Sequence, residues 1–258
     1  MRYSLLPSLI SAGHSAVVSG FPIVARCDLF WPKFAEAASN HQYIWLNDTL
    51  VAPIWDSSTN ASTRKVWIPP GDWQDGWDGS TVTGPKAINV TQPFDRIPMW
   101  HRKGGLVVAA PDPGLRVDEQ DWETLLLHAF PGSSDGSEPS AVRRTVKNRG
   151  DLASAQHIDF ATDGNGKATF ILGAPEDGTP RAFVLRLNLK HGEQVQSVSI
   201  NGNVVDVTAL ASFTSSSSSD QHFPFQGLGS SPAPLAGDIV EVPIRSSHIR
   251  QTVDVTIA

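Results

Sequence analysis

The first twenty residues carry apolar side chains at helical spacing. In MRYSLLPSLISAGHSAVVSG the apolar positions recur with the period of a helix, which predicts an amphipathic helix over residues 2–20. Gly20 and Pro22 follow it, and this pair is a common stop signal at a helix C-terminus. The stripe needs an apolar partner, and the sequence predicts no element before it. Its members are Leu5, Leu6, Leu9, Ile10, Ala12, Ala16 and Val17.

The rest of the chain is patterned as β-strands. QYIWLNDTLVAPIW (42–55) predicts a strand, a bend and a strand, and RKVWIPP (64–70) predicts a strand that ends at its proline pair. Asp-Gly pairs at 75–76 and 78–79 and Asn201-Gly202 predict tight hairpin turns. This pattern is typical of antiparallel β-sandwiches. Further strands are predicted within 95–110, 124–130, 157–172, 181–189, 196–207, 237–244 and 252–258.

A change in composition divides the chain. All eight Trp residues lie between Trp31 and Trp122, and Pro111, Pro113 and Gly114 punctuate the end of that region. We therefore expect two β-domains with a boundary near residues 110–120. The Ser-rich segment at about 211–236 predicts a loop rather than a site.

Charge and composition exclude some classes of function. The chain has 258 residues and a net charge of −6, without a Lys/Arg cluster, which argues against nucleic-acid binding. No apolar run is long enough for a membrane-spanning helix. Cys27 is the single cysteine, so we expect a small buried apolar side chain and no thiolate metal cluster. No metal or cofactor motif is recognised, and the sequons at Asn47, Asn60 and Asn89 do not by themselves indicate secretion.

Three carboxylates lie close to two tryptophans in the sequence. Asp72, Asp75 and Asp78 alternate with Trp73 and Trp77, an arrangement that could contact a sugar. The favoured interpretation is structural: the Asp residues begin turns and the Trp residues fill a core. DFATDGNGK (159–167) is similarly interpreted as a hairpin turn rather than a calcium loop.

Other candidate chemistry is weaker still. Gly13-His14-Ser15 lies inside the predicted helix, whereas a nucleophile elbow follows a strand. VDEQDWE (117–123) is acidic and is interpreted as a solvated linker. No stretch offers two convincing catalytic carboxylates, so no catalytic, substrate-binding or metal-ligating residue is assigned.

Five motifs occur in order over roughly residues 2–110: RYSLLPSL, SGFPIV, QYIWLNDTLVAPIW, WIPPGDWQDGWDG and DRIPMWHRKGGLVV. Together they resemble the C-terminal third of glycoside hydrolase family 31, the α-glucosidase and α-xylosidase family. Residues 120–258 resemble the family's distal β-domain more loosely. The chain departs from the family pattern at Ser8 and Gln74, where the family usually has Tyr, and at Cys27-Asp28 and HQYIW.

The resemblance implies a domain plan and a mechanism. Residues 1–33 would hold the last helix of a (β/α)₈ barrel and a connecting segment, 34–114 a proximal β-sandwich, and 115–258 a distal β-sandwich. The parent enzyme would be a retaining α-glycosidase that hydrolyses O-glycosidic bonds. Its catalytic carboxylates would lie in the barrel, upstream of Met1, so we expect this chain to be inactive alone.

Two functions from different classes remain open from the sequence. In the first, the sandwiches brace a catalytic barrel, and this barrel would be the partner of the chain. The substrate of the parent enzyme would be a carbohydrate. In the second, the chain is a non-catalytic carbohydrate-binding module. Exposed, coplanar rings of Trp73, Trp77 or Trp100 would favour the second function, and buried rings the first.

Overall fold

In the residues that the structure describes, the chain forms a helix packed on two β-units. The computed structural model describes residues 4–54, 61–93, 95–111, 122–132, 140–147, 153–190, 192–207 and 239–258. The Ser-rich segment 211–236, the sequon residue Asn60 and most of the expected boundary at 110–120 lie outside these described residues. The fold class is confirmed as mainly β, with mostly antiparallel sheets in sandwich-like folds.

Helix α1 (Leu6–Ser19) matches the predicted helix closely. Pro7 lies in its first turn, where a missing N–H costs nothing. Gly20 ends the helix with a φ of 76°, and its N–H donates to the carbonyl of Ala16. A left-handed residue at this position favours glycine, so the predicted stop signal is confirmed.

Within the described residues, the first β-unit is a six-stranded sheet with an aromatic core. Its strand order is β1-β2-β3-β6-β4-β5, with short 3₁₀ turns at Cys27–Leu29 and Ala35–Ala38 covering part of it. The core includes Trp67, Trp73 and Trp100. The strands are β1 (Val24–Arg26), β2 (Tyr43–Trp45), β3 (Thr49–Val51), β4 (Ala61–Asp75), β5 (Thr81–Pro93) and β6 (Met99–Arg102).

Strand β4 differs from its predicted bounds. It does not end at Pro69-Pro70 but continues to Asp75, with a register shift between Ile68 and Gly71. Proline has no N–H to give to a ladder, and a bulge at that point lets the strand resume. Residues on both sides of the bulge pair with β5, and Trp73–Asp75 pair with β6.

The second β-unit is a sandwich of a four-stranded and a six-stranded sheet. The strand orders are β15-β12-β8-β7 and β14-β13-β16-β11-β10-β9, and the apolar core between them includes Phe160, Phe170 and Phe183. The strands are β7 (Leu106–Ala109), β8 (Thr124–Ala129), β9 (Ser140–Lys147), β10 (Ala155–Thr162), β11 (Lys167–Leu172), β12 (Arg181–Asn188), β13 (Val195–Ile200), β14 (Asn203–Val205), β15 (Ile239–Ser247) and β16 (Gln251–Ile257).

Two pairings in this unit do not follow from local pattern. Strand β8 pairs with β12 in parallel, in an otherwise antiparallel sheet. Strand β7 lies before the predicted boundary at 114/115 yet pairs with β8, so it belongs to the sheet of the second unit. The division of the chain into three domains stays a prediction.

Candidate functional site

The N-terminal half of α1 is anchored to the second β-unit. Ser8 Oγ donates to the carbonyl of Val108 at 2.6 Å and accepts from the N–H of Val108 at 3.1 Å. Ser11 Oγ accepts from the N–H of Lys147 at 3.2 Å. Leu5 is fully buried, while Leu9 is partly buried against the same small cluster. The β-units therefore supply part of the partner that the apolar stripe requires.

The C-terminal half of α1 carries apolar side chains into solvent. Val17 is 87 % exposed and Val18 is 76 % exposed. The segment that follows adds Phe21, Val24 and Leu29, which are exposed as well. We call these five residues the apolar surface. Neighbouring exposed apolar residues of this kind indicate a surface that another protein segment covers.

Aromatic contacts connect the apolar surface to the core of the first unit. The ring of Phe21 meets Phe30 edge-on at 5.3 Å between centroids, and Phe30 contacts Trp31 at 5.4 Å. Trp31 then contacts Trp67 and Trp73. One member of the apolar surface, Phe21, therefore rests on packed aromatic rings.

Two buried polar contacts lie at the junction between the β-units. Lys103 Nζ donates to Gln74 Oε1 at 2.8 Å and to the carbonyl of Asn188 at 3.3 Å. Gln74 Nε2 donates to the carbonyl of Leu189 at 3.1 Å. Burial lowers the pKa of the Lys103 ammonium to about 8. The two units are therefore joined by a charged group with little access to water.

An ion pair forms the second contact across the junction. Asp48 lies in the turn between β2 and β3, is 4 % exposed and pairs with Arg144 of β9. Its carboxylate also accepts from the N–H of Leu106 at 3.2 Å, and Arg144 Nε donates to the carbonyl of Leu106 at 2.9 Å. Each charge thus has further hydrogen bonds, which is what a buried ion pair requires.

Two imidazoles lie close to the same junction. His101 stacks on Phe130 at 4.5 Å with an interplanar angle of 10°, and its Nδ1 is 3.1 Å from Thr49 Oγ1. Burial lowers the pKa of His101 to about 3. Burial, with the nearby Arg186, also holds the pKa of His128 well below its ordinary value. Both rings are therefore neutral near pH 7 and serve packing.

Two of the three carboxylates that the sequence singled out serve a turn. Asp75 accepts from the N–H groups of Trp77 at 2.7 Å and Asp78 at 3.2 Å, and burial raises its pKa to about 6. Asp78 accepts from the N–H of Ser80 at 2.8 Å. Asp72 does not begin a turn: it lies within β4 and accepts from Thr83 Oγ1 of the paired strand β5 at 2.5 Å. All three contacts are structural, as expected, but the turn interpretation is wrong for Asp72.

The tryptophan rings do not form an exposed platform. Trp73 is fully buried and Trp100 is 3 % exposed. Trp77 is half-buried, donates from Nε1 to the carbonyl of Ile97 at 2.7 Å and carries Arg96 over its ring. By the criterion set from the sequence, this arrangement favours bracing over sugar binding through Trp73, Trp77 or Trp100.

The remaining sequence candidates also have structural roles. Asp163 Oδ1 accepts from the N–H groups of Asn165 and Lys167 at 2.8 and 2.9 Å, which confirms the hairpin turn. His14 lies inside α1. Cys27 is fully buried, and desolvation raises its pKa to about 11. Of the segment 117–123, the structure describes only Trp122, which is buried, and Glu123, which is exposed.

In the part of the chain that the structure describes, His, Cys, Asp and Glu side chains nowhere gather in a group of three that could hold a metal ion. In the same residues, no helix has the length and apolar character needed to cross a membrane.

Sequence reasoning did not find the polar junction. The contact between Lys103 and Gln74 joins residues 29 positions apart, and the contact between Gln74 and Leu189 joins residues 115 positions apart. The available signal was the departure from the family pattern at Gln74, where Tyr is usual. A side-chain amide at that position can both accept from the Lys103 ammonium and donate to a carbonyl of the second unit.

Comparison with known proteins confirms the resemblance. The fold is that of the β-rich C-terminal region of family 31 enzymes: the structure superposes on the Flavobacterium johnsoniae GH31 dextranase with a TM-score of 0.74 at 21 % identity, covering 99 % of this chain and 31 % of that one. Residues 20–107 match the Glycosyl hydrolase family 31 C-terminal domain. Residues 20–107 of this chain are therefore similar to the C-terminal domain of family 31 enzymes, and the chain has the fold of that region.

Curated relatives are much longer than this chain. Glucoamylase 1 of Candida albicans is 27 % identical over 241 residues, which cover 88 % of this chain and 25 % of the relative. Isomaltosyltransferase of Sporosarcina globispora is 27 % identical over 107 residues, which cover 41 % of this chain and 10 % of the relative. The chain thus spans a quarter or less of the length of these two relatives.

Proposed function

We propose that this chain is the bracing part of a retaining α-glycosidase that hydrolyses O-glycosidic bonds. Its two β-units support a catalytic (β/α)₈ barrel, which packs on the exposed half of α1. The observation that carries the proposal is the apolar surface, because Val17 and Val18 lie on a helix whose other half is firmly anchored. The names of two relatives, Isomaltosyltransferase and Glucoamylase 1, support chemistry on glycosyl groups.

The proposed mechanism places both catalytic carboxylates in the barrel. One attacks the anomeric carbon, and the other protonates the departing oxygen and then activates water for the second displacement. The residues of this chain would act by holding the barrel's last helix in position. Ser8 and Ser11 fix α1 to β7 and β9, so a barrel packed on that helix is oriented relative to both β-units.

An activity assay tests where the catalytic groups lie. The 258-residue chain, incubated with an aryl α-glucoside, is expected to release no phenol above the buffer rate. Measurable turnover by the purified chain would place the catalytic carboxylates among these residues and overturn the proposal.

Sequencing the transcript upstream of Met1 tests the barrel directly. An open frame in phase, encoding a (β/α)₈ barrel with two candidate carboxylates, is the expected result. A stop codon in phase, with no barrel encoded before it, would contradict the proposal that this chain is the bracing part of such an enzyme.

A further inference from the structure

The sequon at Asn89 lies on an exposed sheet edge. Strand β5 is the outermost strand of the first unit in the described part of the chain, and Asn89 and Thr91 are exposed on it while Val90 is buried. Thr91 Oγ1 is 2.6 Å from Thr63 Oγ1 on the neighbouring strand. Asn89 and Thr91 therefore share one face of the sheet, and Val90 points to the other.

An open groove lies on that same face. In the β4–β5 ladder Asn89 is opposite Lys65, and Ala87 is opposite Trp67. Directly opposed residues of an antiparallel pair point to one side of the sheet, so these four side chains share a face. Lys65, Trp67 and Ala87 also line a groove of about 440 Å³, together with Phe34, Glu36 and Lys86.

The groove has the chemistry of a saccharide subsite. Its lining includes the partly buried ring of Phe34, which contacts Trp67 at 5.6 Å between centroids, and the charged side chains of Lys65, Lys86 and Glu36; Trp67 itself is 7 % exposed. Apolar rings with a few polar groups are the usual lining of small-ligand pockets. Residues two apart on one strand are roughly 7 Å apart, so a sugar attached to Asn89 reaches the groove beside Ala87.

We propose that Asn89 is an N-glycan acceptor and that the first sugars of its glycan pack into this groove. In the transfer, Asn89 Nδ2 bonds to the anomeric carbon of an N-acetylhexosamine. The bond from that carbon to the phosphate of a lipid diphosphate donor breaks, the lipid diphosphate leaves with the electron pair, and a proton leaves Nδ2.

The glycan would also protect the edge of the sheet. Long exposed edge strands are templates for association with another chain. Pro85 and Pro93 interrupt the β5 edge, and Asn89 lies midway between them. A glycan at that point blocks strand addition along the remaining free stretch.

Peptide mass mapping tests the acceptor. The full chain is secreted from a eukaryotic host behind a leader, and only chains that have lost the leader are mapped. The peptide with Asn89 is expected to carry a glycan, which Thr91→Ser retains and Thr91→Ala removes. Translocated chains with an unmodified Asn89 overturn the proposed acceptor.

Thermal unfolding tests the groove. Complete removal of the glycan by an amidase, which leaves Asp at this position, is expected to lower the midpoint temperature of unfolding by about 2–4 °C. The Asn89→Asp variant, which never carries the glycan, gives the matching reference. Ala87→Arg keeps the sequon, and therefore the glycan, but fills the groove with a long side chain. In that variant, removal of the glycan should no longer change the midpoint temperature. An unchanged midpoint in the parent chain overturns the groove contact.

Discussion

Lys103 donates to Gln74 at 2.8 Å inside the junction of the two β-units, and both side chains are shielded from water. The same amide also contacts the second unit, because its Nε2 donates to the carbonyl of Leu189. The Lys103 ammonium is therefore buried in the junction, and its hydrogen bonds to Gln74 and Asn188 join it to an amide and a carbonyl rather than to a carboxylate. The free-energy cost of burying this group depends on whether Lys103 is protonated.

Stability is expected to rise with pH in a window set by Lys103. The pKa is about 8 in the folded chain and 10.5 for an ordinary Lys, so between these values the unfolded chain binds more protons. The free energy of unfolding therefore increases from about pH 8 to pH 10.5, by at most about 3 kcal/mol. Urea titrations across this range measure the slope.

Lys103→Met isolates that contribution. Methionine keeps much of the side-chain volume but does not titrate, so the difference in slope between the two proteins belongs to Lys103. Lys65→Met, at an exposed position, is the control and should keep the wild-type slope. Equal slopes for wild type and Lys103→Met would contradict the burial of a titrating ammonium.

Asp75→Asn is expected to stabilise the chain at neutral pH. The pKa of Asp75 is about 6 in the folded chain and 3.8 for an ordinary Asp. The protonated side chain therefore contributes fully to the free energy of unfolding below pH 3.8, and this contribution is lost as the pH rises through 6. Asparagine still accepts from the N–H groups of Trp77 and Asp78 without a buried charge. We expect a gain of about 1–2 kcal/mol at pH 7 that vanishes near pH 4.

The control for this prediction is Asp78→Asn, because Asp78 is exposed. Chemical unfolding at pH 4 and pH 7 should leave its stability nearly unchanged relative to wild type. A loss of stability in Asp75→Asn at pH 7 would show that the turn needs the carboxylate charge.

Local signals in the sequence predicted the elements whose geometry is decided by near neighbours. Asn201 and Gly202 adopt φ values of 52° and 80°, as a tight hairpin turn requires. Gly20 ends α1 because a left-handed residue at a helix end favours glycine. These features depend on a few consecutive residues, and the sequence displays all of them.

Pairings between distant residues could not be predicted in this way. The pattern of side chains in Leu106–Ala109 does not reveal which of the two β-units this strand joins. In the structure the strand pairs with β8 of the second unit. The Asp48–Arg144 contact joins residues 96 positions apart, and neither position carries a local sign of burial. The candidate junction depends on which sheets face each other, and that relation is set by the whole fold.

Arg144→Ala is expected to be strongly destabilising. Removing the guanidinium leaves the carboxylate of Asp48 buried with its main partner lost, and breaking a buried pair in this way costs about 3–5 kcal/mol. Side-chain exposures of 20 % for Arg144 and 6 % for Asp48 support this assignment. Equilibrium unfolding in urea measures the change.

The neighbouring Arg143 provides the matched control. It pairs with Asp159 at 2.5 Å, but its side chain is 65 % exposed. An exposed ion pair contributes little, so Arg143→Ala should unfold nearly as the wild type does. Similar losses for both variants would mean that burial does not distinguish the two ion pairs.

The double variant Val17→Lys, Val18→Lys tests the apolar surface in the isolated chain. Both side chains are largely exposed, so their replacement should change the free energy of unfolding by no more than about 0.5 kcal/mol. Two ammonium groups should, however, weaken binding of a hydrophobic dye and concentration-dependent self-association, measured by fluorescence and light scattering. Val204→Lys, 81 % exposed in the second unit, is the control and should leave both readouts close to wild type. A large loss of stability in the double variant would show that α1 is already covered along its whole length, and the proposed docking surface for a barrel would then be lost.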